Sequence, residues 1–500
     1  MPEISFQNTA PERWKADIML VPFCEGEIES VFRPELDGAA PWFAAAPALR
    51  DVRGEKGELA LLHGPPDVFV PRVLTVGLGK RDELDMDTFR KAMAEAISLC
   101  AQKNYDTVLL PEPMLNSLPG GWERLIEEAV CAVLLAVHRC DELKKQPERP
   151  EKPRWVSLGY AGSNSDCARA AMRRGENAAL AVKMTRELAN TPANLLAPSD
   201  LAQKAAQFAE RYGFSCAVMD ENALTRHGLG ALTAVGQGSA QPPRLIVLEH
   251  APEGREQENP LIFVGKGVTF DSGGLCIKPA AGMHEMKCDM AGAAAVLAAV
   301  AVASLENAPR RIIGLLACAE NMPDGKAMRP GDVIRAANGD TVEIVNTDAE
   351  GRLALCDALV WAQREWTPSA VIDIATLTGA CAVALGKGMA GLFCDDAELA
   401  ERILAAGGAC GEPFWRLPLW KPYAEHLKSE IADIRHTGPR EGGAINAALF
   451  LRHFMNDDTL WAHLDIAGTD WAEKPSALCP KGATGFGART LLELARGGAL

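Results

Sequence analysis

Four segments constrain the fold most tightly: "RLIVLEH" (244–250), "PLIFVGKG" (260–267), "RIIGLLACAE" (311–320) and "AVIDIAT" (370–376) are apolar almost without interruption. A strand with one wet face alternates polar and apolar residues, so unbroken apolar strands predict a sheet covered by helices on both faces. "TVEIVNT" (341–347) reads as a further strand of the same unit. The Ala-rich run "AGAAAVLAAVAVASL" (291–305) is too short to span a bilayer comfortably and reads as a buried helix.

The first part of the chain has a different texture. Residues 1–160 alternate short β-like segments ("ADIMLVPF", "RVLTVGLG", "DTVLLPE", "RWVSLGY") with helical ones ("DTFRKAMAEAISLCAQK", "WERLIEEAVCAVLLAVHRC"), which predicts a smaller α/β domain. The Pro- and charge-rich stretch 141–154 is expected to be surface loop near a boundary. Helical periodicity from about 165, ending at the breakers of "NTPANLLAP", makes 161–195 a linking helix and loop, with 196–500 as the larger C-terminal domain.

Lys and Arg total 51 against 66 Asp and Glu, a formal charge of −15 without a charged tail, which argues against nucleic acid or an anionic membrane as the main partner. Fourteen irregularly spaced cysteines in a chain this long read as reduced thiols of a cytoplasmic protein. The N-terminal segment has no basic region followed by an apolar one, so no signal peptide is expected.

The octet "NTDAEGRL" (346–353) puts Asp348 and Glu350 between a strand-like segment and the helical "GRLALCDALVWAQ". Taken alone it fits a helix cap, with Asp348 as N-cap and Glu350 complementing the helix dipole. A second stretch, "VGKGVTFDSGGLCIKPAAGMHEMKCDMAG" (264–292), adds Lys266, Asp271, Lys278 and Asp289, with glycines after Asp271 that permit close backbone approach. Four carboxylates clustered at loop edges are costly unless cations neutralise them, and oxygen ligands suit Mg, Mn and Zn. "HEMKC" (284–288) lacks the second His of a zincin motif, and "GKG" (265–267) lacks the glycine and the Ser or Thr of a P-loop.

Together "VGKGVTFDSGG", "IKP", "MKCDMAGAAAV" and "NTDAEGRL" resemble the leucyl aminopeptidase (cytosol aminopeptidase) family of dinuclear metallopeptidases. The likeness continues through "ENMPDGKAMRPGDV", "IATLTGA", "GGAINAALFL" and "WAHLDIAGTDW", covering 165–500 closely and the first 160 residues in general layout. It implies release of the N-terminal residue from peptides with a free amino terminus, using two divalent ions (Zn or Mn, or Mg). Asp271 and Glu350 would bridge the ions, Lys266 and Asp289 would complete one shell, and the side chain and carbonyl of Asp348 would serve the other.

The resemblance also implies that Lys278 stabilises the oxyanion and that Arg352 holds a bicarbonate acting as general base. Met286, Thr376, Leu377 and Gly379 match positions that line the pocket for the first side chain or bind peptide backbone. Cys288, beside Asp289, reads as an inert thiol because no His stands at a telling position. A homohexamer, a dimer of trimers to which the N-terminal domain would contribute contacts and a lid, is a further implication of the resemblance.

Overall fold

Two large β-sheets organise the computed structural model, which describes residues 2–31, 34–141, 143–145, 152–162 and 164–497. The chain divides into one unit of residues 1–180 with 474–481 and a second of 181–473 with 482–500. The division falls inside helix α3 (Ser165–Asn190), within the stretch read as a linking helix.

The first unit holds β1 (Glu3–Gln7), β2 (Ile18–Phe23), β3 (Leu59–His63), β4 (Arg72–Gly77), β5 (Thr107–Pro111) and β6 (Trp155–Gly159) in the order β1-β6-β5-β2-β4-β3. All pairs are parallel except β3 with β4. Helices α1 (Met86–Gln102) and α2 (Trp122–Val137) pack on each other, and one core gathers Trp14, Met19, Phe23, Phe43 and Leu109. Strands β1 and β3 are additions to the sequence reading; β1 is polar and half-exposed, so it carries little hydrophobic signal. Half of the 141–154 stretch (142 and 146–151) lies outside the described residues.

The second unit is built on eight strands: β7 (Ser215–Met219), β8 (Arg244–His250), β9 (Leu261–Asp271), β10 (Ile312–Asn321), β13 (Ala370–Ala375), β14 (Ala390–Cys394), β15 (Phe414–Arg416) and β17 (Trp461–Asp465). A side sheet of β11 (Val333–Arg335), β12 (Thr341–Glu343) and β16 (Ile434–Arg435) accompanies them. The main sheet is mixed: β9, β10, β13 and β17 run parallel, whereas β8 and β14 pair antiparallel.

Helix α4 (Ala291–Leu305) covers one face and α5 (Gly351–Glu365) the other. Alternation along β9 shows how. A Cβ on Gly265 would lie 2.5 Å from the Cα of Ala293 in α4, so only glycine admits that helix. Its neighbour Lys266 points the opposite way, toward Gly351 at the start of α5. Leu353, Leu355 and Leu359 of α5 join Ile262, Val264, Ile313 and Leu315 in the core beneath it.

With the turn at Met283–Cys288, α4 makes a segment of 23 residues, apolar and long enough to cross a membrane, yet 89% of its apolar window is buried inside the protein. It is the covering helix that the sequence predicts. All fourteen cysteines are free thiols.

Candidate metal centre and active site

The site lies at the carboxyl ends of β9 and β13, where ligands bind in open α/β sheets. Strand β9 carries two of its residues. Lys266 sits within the strand, which continues past the predicted segment 260–267 and is closed by Asp271. Gly273 and Gly274 then turn the chain at φ of +86° and +64°, and a Cβ on Gly273 would lie 2.7 Å from Asp348 Oδ1. Lys278 follows this turn, and Asp289 ends the short helical segment Met283–Cys288.

The octet is mostly irregular backbone. Strand β12 stops at Glu343, because Val345 N–H donates to His436 Nδ1 (3.2 Å) and Ile344 N–H to the Asp332 carbonyl (2.8 Å) instead of to a neighbouring strand. This corrects the expectation of a strand through 347. The cap reading is not realised either: Glu350 holds the N-cap position of α5 in helical geometry (φ −75°, ψ −32°), and no side chain caps the helix.

These turns bring the charges together. One oxygen each from Asp271, Asp348 and Glu350 lie within 4.8 Å of one another. Lys266 Nζ donates to Asp289 Oδ1 (2.8 Å) and to the Thr376 carbonyl (3.1 Å), and stands 2.9 Å from Glu350 Oε1. Lys278 Nζ lies 2.7 Å from Asp271 Oδ2 and 2.6 Å from Asp348 Oδ1. Burial works against the Lys266 ammonium, but Asp289, Glu350 and Asp271 outweigh it and hold the pKa above the usual lysine value. Burial raises the carboxyls of Asp289, Asp348 and Glu350, with like-charge neighbours adding to the effect.

Asp289 Oδ2, Asp348 Oδ1 and Glu350 Oε1 are buried and face only a lysine nitrogen, at 2.7, 2.6 and 2.9 Å. Two ammonium groups shared among four carboxylates leave the buried cluster with excess negative charge, which costs free energy unless further cations complete it. The donor set of carboxylates and one amine therefore fits divalent ions.

Of the eleven residues singled out from the sequence, all but Arg352 line a single cavity of about 350 Å³, Met286, Thr376, Leu377 and Gly379 among them. Arg352 is buried on the first turn of α5, where Nη1 donates to the His436 carbonyl (3.0 Å) and Nε has no partner. Burial lowers its pKa to about 10, so it stays cationic at neutral pH. Cys288 is buried with its thiol pushed well above the ordinary value, as an inert cysteine should be.

Three supporting residues escaped the sequence reading. Asn321 Nδ2 donates to Asp271 Oδ1 (2.8 Å) and to the Thr347 carbonyl (3.0 Å), tying the two ligand loops together. His436 accepts from Val345 N–H and places Nε2 2.8 Å from the Asn346 carbonyl; burial lowers its pKa to about 4, so it is a neutral brace. Asp465 accepts from Leu377 N–H (3.2 Å) and Thr378 Oγ (2.6 Å), fixing the loop that bears the pocket residues. Asn321 and Asp465 lie in the stretches "ENMPDGKAMRPGDV" and "WAHLDIAGTDW" that carry the resemblance, but nothing in either marks that residue out from its neighbours.

Comparison with known proteins agrees with this geometry. The family model described as "Cytosol aminopeptidase family, catalytic domain" matches residues 183–492, and its N-terminal counterpart matches 21–147. The chain belongs to the cytosol aminopeptidase family. Among members of this family, "Probable cytosol aminopeptidase" of Desulfovibrio desulfuricans is 64% identical over 500 residues, covering 100% of both chains. The protein of the same name from Nitratidesulfovibrio vulgaris is 50% identical over 98% of each chain.

Two solved structures are similar throughout. The bottromycin maturation enzyme BotP in complex with Mn superposes with a TM-score of 0.84 at 36% identity, covering 96% of this chain and 99% of that one. A mutant of tomato leucine aminopeptidase gives 0.85 at 31% identity, covering 99% and 96%. The two-domain α/β architecture is therefore that of the cytosol aminopeptidases, and the chain is a metallo-aminopeptidase, a hydrolase.

Proposed function

We propose that the protein removes the N-terminal residue, leucine and others, from peptides by means of two divalent cations. The observation that carries this is the convergence of four carboxylates, those of Asp271, Asp289, Asp348 and Glu350, on only two lysines, Lys266 and Lys278. Asp271 and Glu350 would be shared by the two ions, Lys266 (as the neutral amine) and Asp289 would hold one, and Asp348 the other. BotP in complex with Mn supports manganese as one resident ion, and the donor set accommodates Zn or Mg as well. When bound, the ions supply an activated water and Lewis acidity, and a bicarbonate beside them supplies a general base.

The remaining work falls to the chain itself. Lys278, a cation held in place by Asp271 and Asp348, stands beside the cluster to stabilise negative charge developing on the scissile carbonyl oxygen. Arg352, with a buried Nε lacking an acceptor, would hold the bicarbonate. Met286, Thr376, Leu377 and Gly379 form walls for the first residue, whose free amine meets the carboxylate-rich end of the cavity.

The names of the relatives support a cytosolic place of work for the enzyme, and the family resemblance supports a homohexamer. Light scattering tests the latter, with six times the 53.5 kDa chain mass as the expected result. Activity is tested by incubating metal-stripped protein with Mn or Zn and leucinamide or a Leu-peptide. Release of the first residue is expected, with N-acetylated peptides resistant; no turnover with any metal would sink the proposal.

A further inference from the structure

Asp470 stands in the same cavity and is neither one of the proposed ligands nor one of the pocket residues indicated by the sequence. It follows the turn after β17, where its N–H donates to the Ile466 carbonyl (3.1 Å) and its carbonyl accepts from Thr484 N–H (2.8 Å). Its backbone is therefore fixed. The side chain is half-buried in the cavity; the Cys288 thiol and its own N–H are hydrogen-bonded to its carboxylate, and among the described residues no lysine or arginine pairs with it.

The neighbouring side chain is Cys288, whose Sγ lies 3.8 Å from the Asp470 carbonyl oxygen. That contact places Asp470 against the turn carrying Met286 and Asp289, which line the same cavity. The lysines lining the cavity are all engaged: Lys266 with Asp289 and Glu350, Lys278 with Asp271 and Asp348, and Lys387 at the rim with Glu473. Among the described residues no lysine or arginine forms an ion pair with Asp470. Burial lifts its carboxyl to about 7, outweighing the Cys288 thiol and its own N–H, which favour the charged form.

We infer that Asp470 makes the first-residue pocket selective for side chains ending in a cation, lysine and arginine, over uncharged chains of the same length. The inference rests on the proposed aminopeptidase reading and adds its substrate class. A four-carbon lysine stem can lie along Met286 and the Thr376–Leu377 wall while its ammonium provides the charge-assisted hydrogen bond that Asp470 lacks. Because Asp470 would meet the side chain rather than the scissile bond, selection should appear in KM more than in kcat.

The test compares lysinamide with norleucinamide, its isostere without the amine, on the metal-loaded full-length enzyme. A kcat/KM ratio favouring lysinamide at least tenfold is expected, falling to near unity in Asp470→Asn and Asp470→Ala and largely retained in Asp470→Glu. A wild-type ratio at or below one overturns the inference, as does a ratio that stays within twofold in both uncharged variants. The wild-type ratio decides even where a variant fails to fold. Failure of every amide to turn over would instead count against the aminopeptidase reading, so the two outcomes are distinct.

Discussion

Lys278 shows how much of the proposed chemistry depends on a single fixed charge. Its ammonium is held by Asp271 and Asp348 on two different loops, so it is positioned before substrate arrives. A preorganised donor to a developing oxyanion is worth about 2.7–4 kcal/mol, or roughly 10²–10³ in kcat. Lys278→Ala should lose about that factor in kcat on leucinamide with little change in KM, and unchanged kcat would remove Lys278 from the mechanism. Lys266, Glu350 and Arg352 could be read from the sequence because each stands next to a glycine, and Lys278 because it ends an apolar run; Asp289 and Asp348 have no such flank and could be read through their spacing to the others. Asn321, His436 and Asp465 could not, since their importance lies in what they touch across more than twenty residues of intervening chain. Asp470 was hidden for a similar reason, as one acid after a loop whose position in the cavity only the fold reveals.

Helix α5 is the element on which the site turns, and its first residue has no room to spare. A Cβ on Gly351 would lie 2.5 Å from Lys266 Cε and 2.8 Å from Nζ. Gly351→Ala should therefore fold but displace Lys266, weakening metal binding and kcat/KM together by tenfold or more; calorimetric titration with Mn and the amide assay check both. Further along the helix, buried Asp357 accepts from Leu232 N–H (2.9 Å) and Ala337 N–H (2.8 Å). Burial raises its carboxyl to about 7, against about 3.9 for an unfolded aspartate. A raised folded-state pKa means stability that is fully present below about pH 4 and declines as pH rises to about 7. The difference in Tm between wild type and Asp357→Asn should therefore shift against the wild type over that window, and a constant difference would contradict it. The apolar strands were legible because their covering demanded unbroken hydrophobicity. The segment 344–350 was not, because His436 and Asp332 take the backbone bonds that its β-like composition would have given to a neighbouring strand.

At the scale of the whole molecule, the α/β layout of both units could be read in advance, while the division between them falls within α3, where an uninterrupted helical pattern gives no composition break to mark it. Net charge and site then combine in one prediction. The chain carries −15, and around Lys266 and Lys278 four carboxylates face two ammonium groups. Ions that bind this arrangement and not the unfolded chain stabilise the fold by mass action, about 2.7 kcal/mol for each site at a hundredfold excess over Kd. Treatment with a chelator should therefore lower Tm by several degrees, and Mn or Zn should restore it in a concentration-dependent way. In Glu350→Gln, where the proposed bridging carboxylate is neutral, most of that metal-dependent shift should vanish although the metal-free Tm stays close to or above that of wild type, because a buried charge has been removed. An equal metal-dependent shift in wild type and variant would place the stabilising ions elsewhere on the acidic surface and separate them from the catalytic cluster.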